Sequence, residues 1–301
     1  MIYRSMPAVW DPQFRRSFYE RWGHESAVIS ARTRRAEYPE FKQLLSIKAA
    51  GGGAENYYID GRRITVDDDT FAIFNHDRVY ASRIESLRPV HSFSIFFDRK
   101  VAAQTWHSLS RSASALDDGA EAELQPGEFA ERLYEHECLV SPVLRHIRLA
   151  VDTGPVDDAW LEEQLLFLLS RMLRLQHETM RVEAVVPSRK AATRRELLRR
   201  LTLGVDFIQT RYRDAVLLKD IAAAAHLSPF HFLRLFKTVY RVSPSEYLSR
   251  KRSAAALRLL QQSNWSMNMI AEHVGFGSRT SMYRHLRAHY GVEPRELRSA
   301  R

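Results

Sequence analysis

Two stretches of the chain, residues 227–244 (LSPFHFLRLFKTVYRVSP) and 275–294 (GFGSRTSMYRHLRAHYGVEP), carry the same polar pattern fifty residues apart. In the downstream copy Thr280, Arg284 and Arg287 fall on one helical stripe, about 110° around the wheel from an apolar stripe of Met282, Leu286 and Tyr290. In the upstream copy Phe230, Arg234 and Lys237 take the polar positions, and Phe232, Phe236 and Val239 the apolar ones. A guanidinium in the middle of such a face can give two hydrogen bonds to O6 and N7 of guanine, which makes Arg234 and Arg284 candidates for base contact. Phosphate binding or an ion pair within the domain is the plainer use of both, since most protein to DNA hydrogen bonds go to the backbone. Thr280 and Ser281 suit a base edge or thymine methyl, Phe230 suits a thymine methyl, and Leu233 lies beside them. Lys237, Arg279 and Arg287 suit phosphates, with a merely solvated face as the alternative.

Such side chains need two helices held at a fixed angle. Ahead of each reader lies a short amphipathic segment, in which Leu218, Ile221, Ala222 and Ala225 match Met267, Ile270, Ala271 and Val274 at an offset of forty-nine. Ser228 followed by Pro229 is an N-cap with proline at the first helical position, and Gly277 with Ser278 offers the equivalent start downstream. Each copy therefore reads as a helix-turn-helix, the unit that lays its second helix in the major groove. Between the copies, Ser243, Pro244, Ser245 and Glu246 form a capping box that opens a helix to about Gln262, roughly 27 Å long. That length spaces two readers by about one DNA turn, ~34 Å.

These residues resemble the AraC/XylS family of bacterial transcription regulators, whose DNA-binding region holds two helix-turn-helix units in one chain. The resemblance covers about the last hundred residues and is strongest in the GF pair followed by Arg284, Leu286, Gly291 and Pro294. The sequence departs from the family pattern at several positions. Met282 and Leu286 stand for phenylalanines, Leu217 for a Ser or Thr cap, and Arg241 for a helix-ending glycine. The last two weaken the local caps and predict a less rigid first unit.

At 301 residues with 45% apolar content, the chain has room for two cores and is not disordered. Residues 194–301 hold 20 Lys and Arg against 8 Asp and Glu, a net +12, so the remaining residues carry −3 of the overall +9. The asymmetry points to a polyanionic partner for the C-terminal part alone. Cys138 is the single cysteine, which excludes an intrachain disulfide and suits a reducing cytoplasm, where it reads as an inert small hydrophobe. Neither a signal peptide nor a membrane span is evident, and no membrane partner is expected. The expected domains are 1–181, a linker at 182–193 that includes Pro187 and Ser188, and 194–301, whose first helix faces inward through Leu197, Leu201, Val205 and Ile208. Arg250, Lys251 and Arg252 read as a solvated charge run, and Trp265 as a core anchor.

In the N-terminal part, residues 1 to about 40 show no clear period and read as an irregular arm. From Phe41 the pattern is that of strands: Tyr57 and Ile59 precede the turn pair Asp60-Gly61, and Ile64 and Val66 follow on the return strand. Phe71 with Ile73, and Phe93, Ile95 and Phe97, continue the alternation of an antiparallel barrel or sandwich. YYIDGRRITVDDDTFAIFN and FSIFF resemble the cupin-type sensory barrel found at the N-terminus of AraC-like regulators. A polar connection at 108–127 leads to helical spacing in EFAERLYEHECLV, a helix from Ser141-Pro142 through Leu144 and Ile147, and another after Gly154-Pro155. In the last, Leu161, Leu165, Leu168, Met172 and Leu175 recur like a coiled-coil seam, suiting either dimerisation or packing on the barrel. Trp160, Phe167 and Leu169 widen the apolar surface.

The fold class expected is α+β: a cupin-like antiparallel β-barrel with a helical hairpin, then an all-α domain of two helix-turn-helix units joined by a helix. The function expected is a cytoplasmic regulator that is not an enzyme and needs no cofactor. Its expected partners are double-stranded promoter DNA, a small-molecule effector in the barrel, and a second copy in a homodimer, with RNA polymerase a further candidate. A constitutive DNA binder without effector is the alternative. A metal-dependent cupin enzyme would need converging ligands, whereas His76 and His91 are isolated and no HxH pair occurs. RNA binding lacks any module signature.

Overall fold

The computed structural model describes residues 1–8, 11–114 and 128–291. It divides into two compact units, Met1–Arg181 and Val182–Arg301.

The first unit opens on β1 (Ile2–Tyr3) and α1 (Pro12–Arg21). Asp11 caps α1 by accepting from the Gln13 amide at 2.9 Å, and Pro12 stands at the first helical position. The strands β2 (Ala27–Lys42), β3 (Ser46–Gly51), β4 (Glu55–Ile59), β5 (Arg62–Val66), β6 (Thr70–Phe74) and β7 (Val79–Phe96) follow. Then come α2 (Arg99–Ser114), β8 (Leu133–Glu135), α3 (Ser141–Thr153) and α4 (Asp158–Val185). All strands form one sheet in the order β1-β2-β7-β3-β6-β8, with the β4-β5 hairpin attached through β4 to β7. Among the described strands, β1 runs parallel to its neighbour and the other strand pairings are antiparallel. The Asp60-Gly61 turn is as expected, with both residues at positive φ, 50° and 70°.

Alternation along the strands sorts side chains onto two faces. Val28, Ile47, Ala49, Phe71, Ile73, Phe93 and Ile95 pack with α3 and α4. Lys48, Ser92, Ser94 and Phe96, one position away on the same strands, line a cavity on the other face. A polar cluster ties the helical face together: Ser30 Oγ lies 2.6 Å from Asp152 Oδ1 on α3 and 2.7 Å from His91 Nε2 on β7.

Three expectations for this unit are corrected, and one open alternative is decided. Residues 1–40 are not an irregular arm, because β2 begins at Ala27; Ala27–Ala31 are buried and the rest of the strand is exposed or partly exposed, so no single period runs through it. EFAERLYEHECLV is not a helix: Leu133–Glu135 pair with Thr70–Ala72 at the sheet edge, where tertiary pairing overrides local spacing. Leu161, Leu165, Leu168, Met172 and Leu175 are 0–7% exposed within the chain's own core, so the heptad-like stripe seats α4 on the sheet. A 3-4 spacing marks a buried face without saying whose atoms bury it. Cys138 is exposed and not a core hydrophobe. The expected polar connection at 108–127 lies in part outside the described residues.

Among the described residues the elements of the second unit are all helices: α5 (Ala191–Arg211), α6 (Leu218–Ala224), α7 (Pro229–Tyr240), α8 (Pro244–Gln262), α9 (Met267–His273) and α10 (Arg279–Tyr290). Leu201, Val205 and Ile208 of α5 are buried in its core, Leu197 partly so. The linker expected at 182–193 is shorter than thought, since α4 continues to Val185, α5 starts at Ala191, and Val186 is buried in the helical core.

Candidate functional site

The duplication read from the sequence is a duplication of geometry. After α6, His226 takes φ 51° and the Leu227 amide donates to Ala222 O at 2.9 Å. After α9, Gly275 takes φ 86° and the Phe276 amide donates to Ala271 O at 2.9 Å. The offset between copies is forty-nine up to this turn and fifty after it, because Gly277, at φ 69°, is an extra residue before the second reader. Ser228 then caps α7 by accepting from the His231 amide at 3.3 Å, and Ser278 caps α10 by accepting from the Ser281 amide at 3.2 Å. Both readers end alike, Arg241 at φ 60°, ψ 9° and Gly291 at φ 66°, ψ 14°.

On α7, Arg234 and Lys237 are exposed, Phe230 is 76% exposed, and Leu233 is half-buried beside them. On α10, Arg279, Thr280, Arg284 and Arg287 are exposed, and Ser281 is half-buried. Phe232, Leu235 and Phe236 of α7, and Met282 and Leu286 of α10, are buried on the opposite side. The sequence reading needs adjustment at the helix ends: Tyr290 is 43% exposed, Val239 is only partly buried, and Leu235 joins the core. The 19 residues of α8 separate the units by roughly 28 Å of helix.

A model for a helix-turn-helix domain matches residues 221–300. The second unit carries an AraC-type helix-turn-helix domain. YisR of Bacillus subtilis (strain 168), an HTH-type transcriptional regulator, is 31% identical over 141 residues, 47% of this chain and 45% of that protein. The regulatory protein PocR of Salmonella typhimurium is 32% identical over 92 residues, 31% of this chain and 30% of its own. The chain thus spans less than half the length of these curated relatives. The crystal structure of the DNA-binding domain of AdpA in complex with a target DNA is 28% identical, with 33% of this chain and 90% of that one covered and a TM-score of 0.32.

Within the AraC-type domain the charge run on α8 is mostly a brace. Arg250 is exposed and paired with Glu246 at 3.1 Å, but Lys251 is 5% exposed and Arg252 reaches the Tyr212 and Asp214 carbonyls at 2.6 and 2.7 Å. Two of the three cations in this run point into their own unit, which a count of consecutive charges does not reveal. Leu217 lacks a capping hydroxyl, yet its amide is met from the other end of the box by Asp220 Oδ2 at 3.2 Å. Phe276 stacks on His285 at 5.2 Å, and Trp265 meets His273 edge-on at 4.9 Å, a partly buried anchor at the second copy.

The other feature with chemistry is the cavity in the first unit, whose lining residues the sequence reading did not identify. Lys48 and Glu55 are 2% and 3% exposed, and both line it. Burial holds the Lys48 amine well below the usual lysine range and pushes the Glu55 carboxyl up, with Ser92 Oγ donating to Glu55 Oε2 at 2.7 Å. Lys48 Nζ lies 3.5 Å from the centroid of Phe96 and within 6 Å of the Tyr57 and Tyr80 rings. Phe18, Trp22, Phe41 and Tyr38 complete much of the wall. Among the described residues, no group of three His, Cys, Asp or Glu gathers as a metal site. His76 accepts the Leu45 amide at 3.0 Å, and His91 belongs to the Ser30 and Asp152 cluster.

Proposed function

We propose that the protein is a transcription regulator that binds promoter DNA through the two reader helices and is controlled by a small effector in the N-terminal cavity. The observation that carries the DNA part is the repeated exposed face, Phe230, Arg234, Lys237 on α7 and Thr280, Arg284, Arg287 on α10, each opposite a buried apolar side. Capped ends fix both faces, and the +12 charge of residues 194–301 supplies the polyanion attraction. The reading of the effector site rests on a partly open cavity on one face of the sheet, consistent with the cupin-like resemblance, with polar groups converging in an apolar wall. The protein on this reading works by binding and not by turnover.

Arg234 and Arg284 are assigned to bases; Lys237, Arg279 and Arg287 to phosphates; and Phe230, Leu233, Thr280 and Ser281 to apolar and base-edge contacts. Selection from a random duplex pool with the full chain, repeated with alanine variants, tests the scheme. Arg284→Ala is expected to relax preference at one position at a cost of about 1–3 kcal/mol, whereas Arg287→Ala weakens all sequences alike and flattens the salt slope by about 0.9. An Arg284→Ala protein that keeps every base preference and loses only salt-sensitive affinity overturns the base assignment. The homodimer is kept as a proposal on different residues: Leu166 and Phe167, 46% and 43% exposed, lie on the outer side of α4.

A further inference from the structure

A primary amine in an apolar cavity is a nucleophile in waiting when burial keeps it uncharged. Lys48 meets the structural conditions. It projects from β3 to the inner face of the sheet, its Nζ resting on Phe96, and opens onto the same cavity as Glu55. Glu55 is itself buried and held by Ser92. The cavity volume is about 50 Å³, several times the ~10–15 Å³ one water requires, so it has room for a small organic group beside Lys48.

The lining also restricts the occupant's charge. Burial favours the neutral forms of both Lys48 and Glu55, so neither an anion nor a cation meets a full opposite charge in this lining, and either would be costly to bury. An uncharged molecule with one electrophilic carbon avoids that cost and uses both groups. Building on the effector reading, we propose that the cavity captures a small aldehyde or ketone as a reversible imine on Lys48 Nζ, with Glu55 relaying protons.

The step balances without an oxidant or reductant. The Nζ lone pair attacks the carbonyl carbon, and the C=O π pair moves to oxygen, which takes the Glu55 carboxyl proton. The resulting carboxylate recovers a proton from the nitrogen and leaves a carbinolamine. Glu55 then protonates the hydroxyl, the C–O bond breaks with release of water, and the nitrogen lone pair closes the C=N bond. Return of the nitrogen proton restores the acid, so amine and carbonyl compound become imine and water. The wall of Phe18, Trp22 and Phe41 packs the short alkyl part and limits access of water to the imine.

The test is trapping with butanal and sodium cyanoborohydride on the full chain at pH 7, read by peptide mass spectrometry. Lys48 is expected to be alkylated at least ~10-fold faster than exposed Lys100 and Lys237, because an ordinary lysine is almost wholly protonated at that pH. In urea the advantage should vanish. Glu55→Gln, of the same size, should slow alkylation at Lys48 while leaving Lys100 and Lys237 unchanged. Lys48 reacting no faster than those two in the folded wild type overturns the proposal, and needs no variant to fold. DNA affinity of the same samples separates the two readings. Labelling of Lys48 that leaves DNA binding unchanged upholds capture and removes effector control. A small molecule that alters DNA binding without occupying Lys48 covalently leaves effector control standing and removes capture.

Discussion

The Gly275→Ala substitution should damage the second helix-turn-helix more than any surface change on its reader. A Cβ built at this position falls 2.7 Å from the Arg213 carbonyl oxygen, 2.9 Å from that of Tyr212, and 3.0 Å from Arg252 Nε. The first two are backbone atoms, so relief requires the loop after α5 to retreat. Arg252 Nε binds that same Tyr212 carbonyl at 2.6 Å and its Nη2 binds Asp214 O at 2.7 Å, so the retreat strains a charged brace. Gly275 also holds φ 86°, which costs an L residue about 1 kcal/mol. Loss of one charged hydrogen bond adds about 1.5–3 kcal/mol, for a total near 3 kcal/mol. Hydrogen exchange followed by mass spectrometry should show that loss of protection in α9 and α10 peptides, with the first unit unchanged. In an Arg252→Met background the cost should shrink by the hydrogen-bond share, a coupling that a double-mutant cycle reads directly. A change below about 0.5 kcal/mol in the single variant, or full additivity in the cycle, would refute the reasoning.

Arg241→Gly is expected to stabilise the second unit by about 0.5–1 kcal/mol, since relief of left-handed strain at φ 60° outweighs the opposing glycine entropy added to the unfolded chain; hydrogen exchange in α7 measures it. Leu168→Lys should unfold the first unit, because its side chain is 0% exposed, while Phe167→Glu should leave the fold intact and lower the sedimenting mass if the outer face of α4 joins copies. His91 is held below its ordinary value of 6.5 mainly by burial, with Asp152 opposing and Arg32 and Arg148 assisting. The folded state therefore keeps it neutral where the unfolded chain takes up a proton. Its stabilising contribution is complete above pH 6.5 and is lost as pH falls through that value towards the lowered one. Urea melts of His91→Asn beside wild type isolate this from the other histidines: the variant should lose that part of the pH slope.

The reader helices were legible because a duplication supplies two independent copies of one pattern. Any reading of Ser228, Arg234 and Lys237 had to hold for Ser278, Arg284 and Arg287 as well, and helical period and cap chemistry are local properties. The Asp60-Gly61 hairpin was legible for the same reason: its turn type depends on two adjacent residues that tolerate positive φ. Where an element owes its form to a distant partner, the sequence misled. Leu133–Glu135 becomes a strand only because Thr70–Ala72 offers an edge. The α4 stripe could be assigned to burial but not to an owner, and the sheet in the same chain proved to be the owner.

Lys48 marks the deeper limit of such reading. Its neighbours Ile47 and Ala49 announce a strand with one apolar face, and the alternation then assigns Lys48 to the other face, where solvent is the default. What makes that other face interior is the roll of the sheet: β7 pairs β3 through Phe93 and Ser94, and β4 through Ala81 and Arg83, bringing Glu55 and Ser92 to within one hydrogen bond. No local pattern contains that information, since Lys48 and Glu55 lie on strands that never pair with each other. The buried amine and carboxyl are consequences of topology. Burying two ionisable groups costs several kcal/mol each unless they neutralise or pair, and apolar residues at both positions would avoid that cost. Their presence together in an aromatic cavity is therefore an argument for chemistry in the first unit, separate from the argument for DNA in the second.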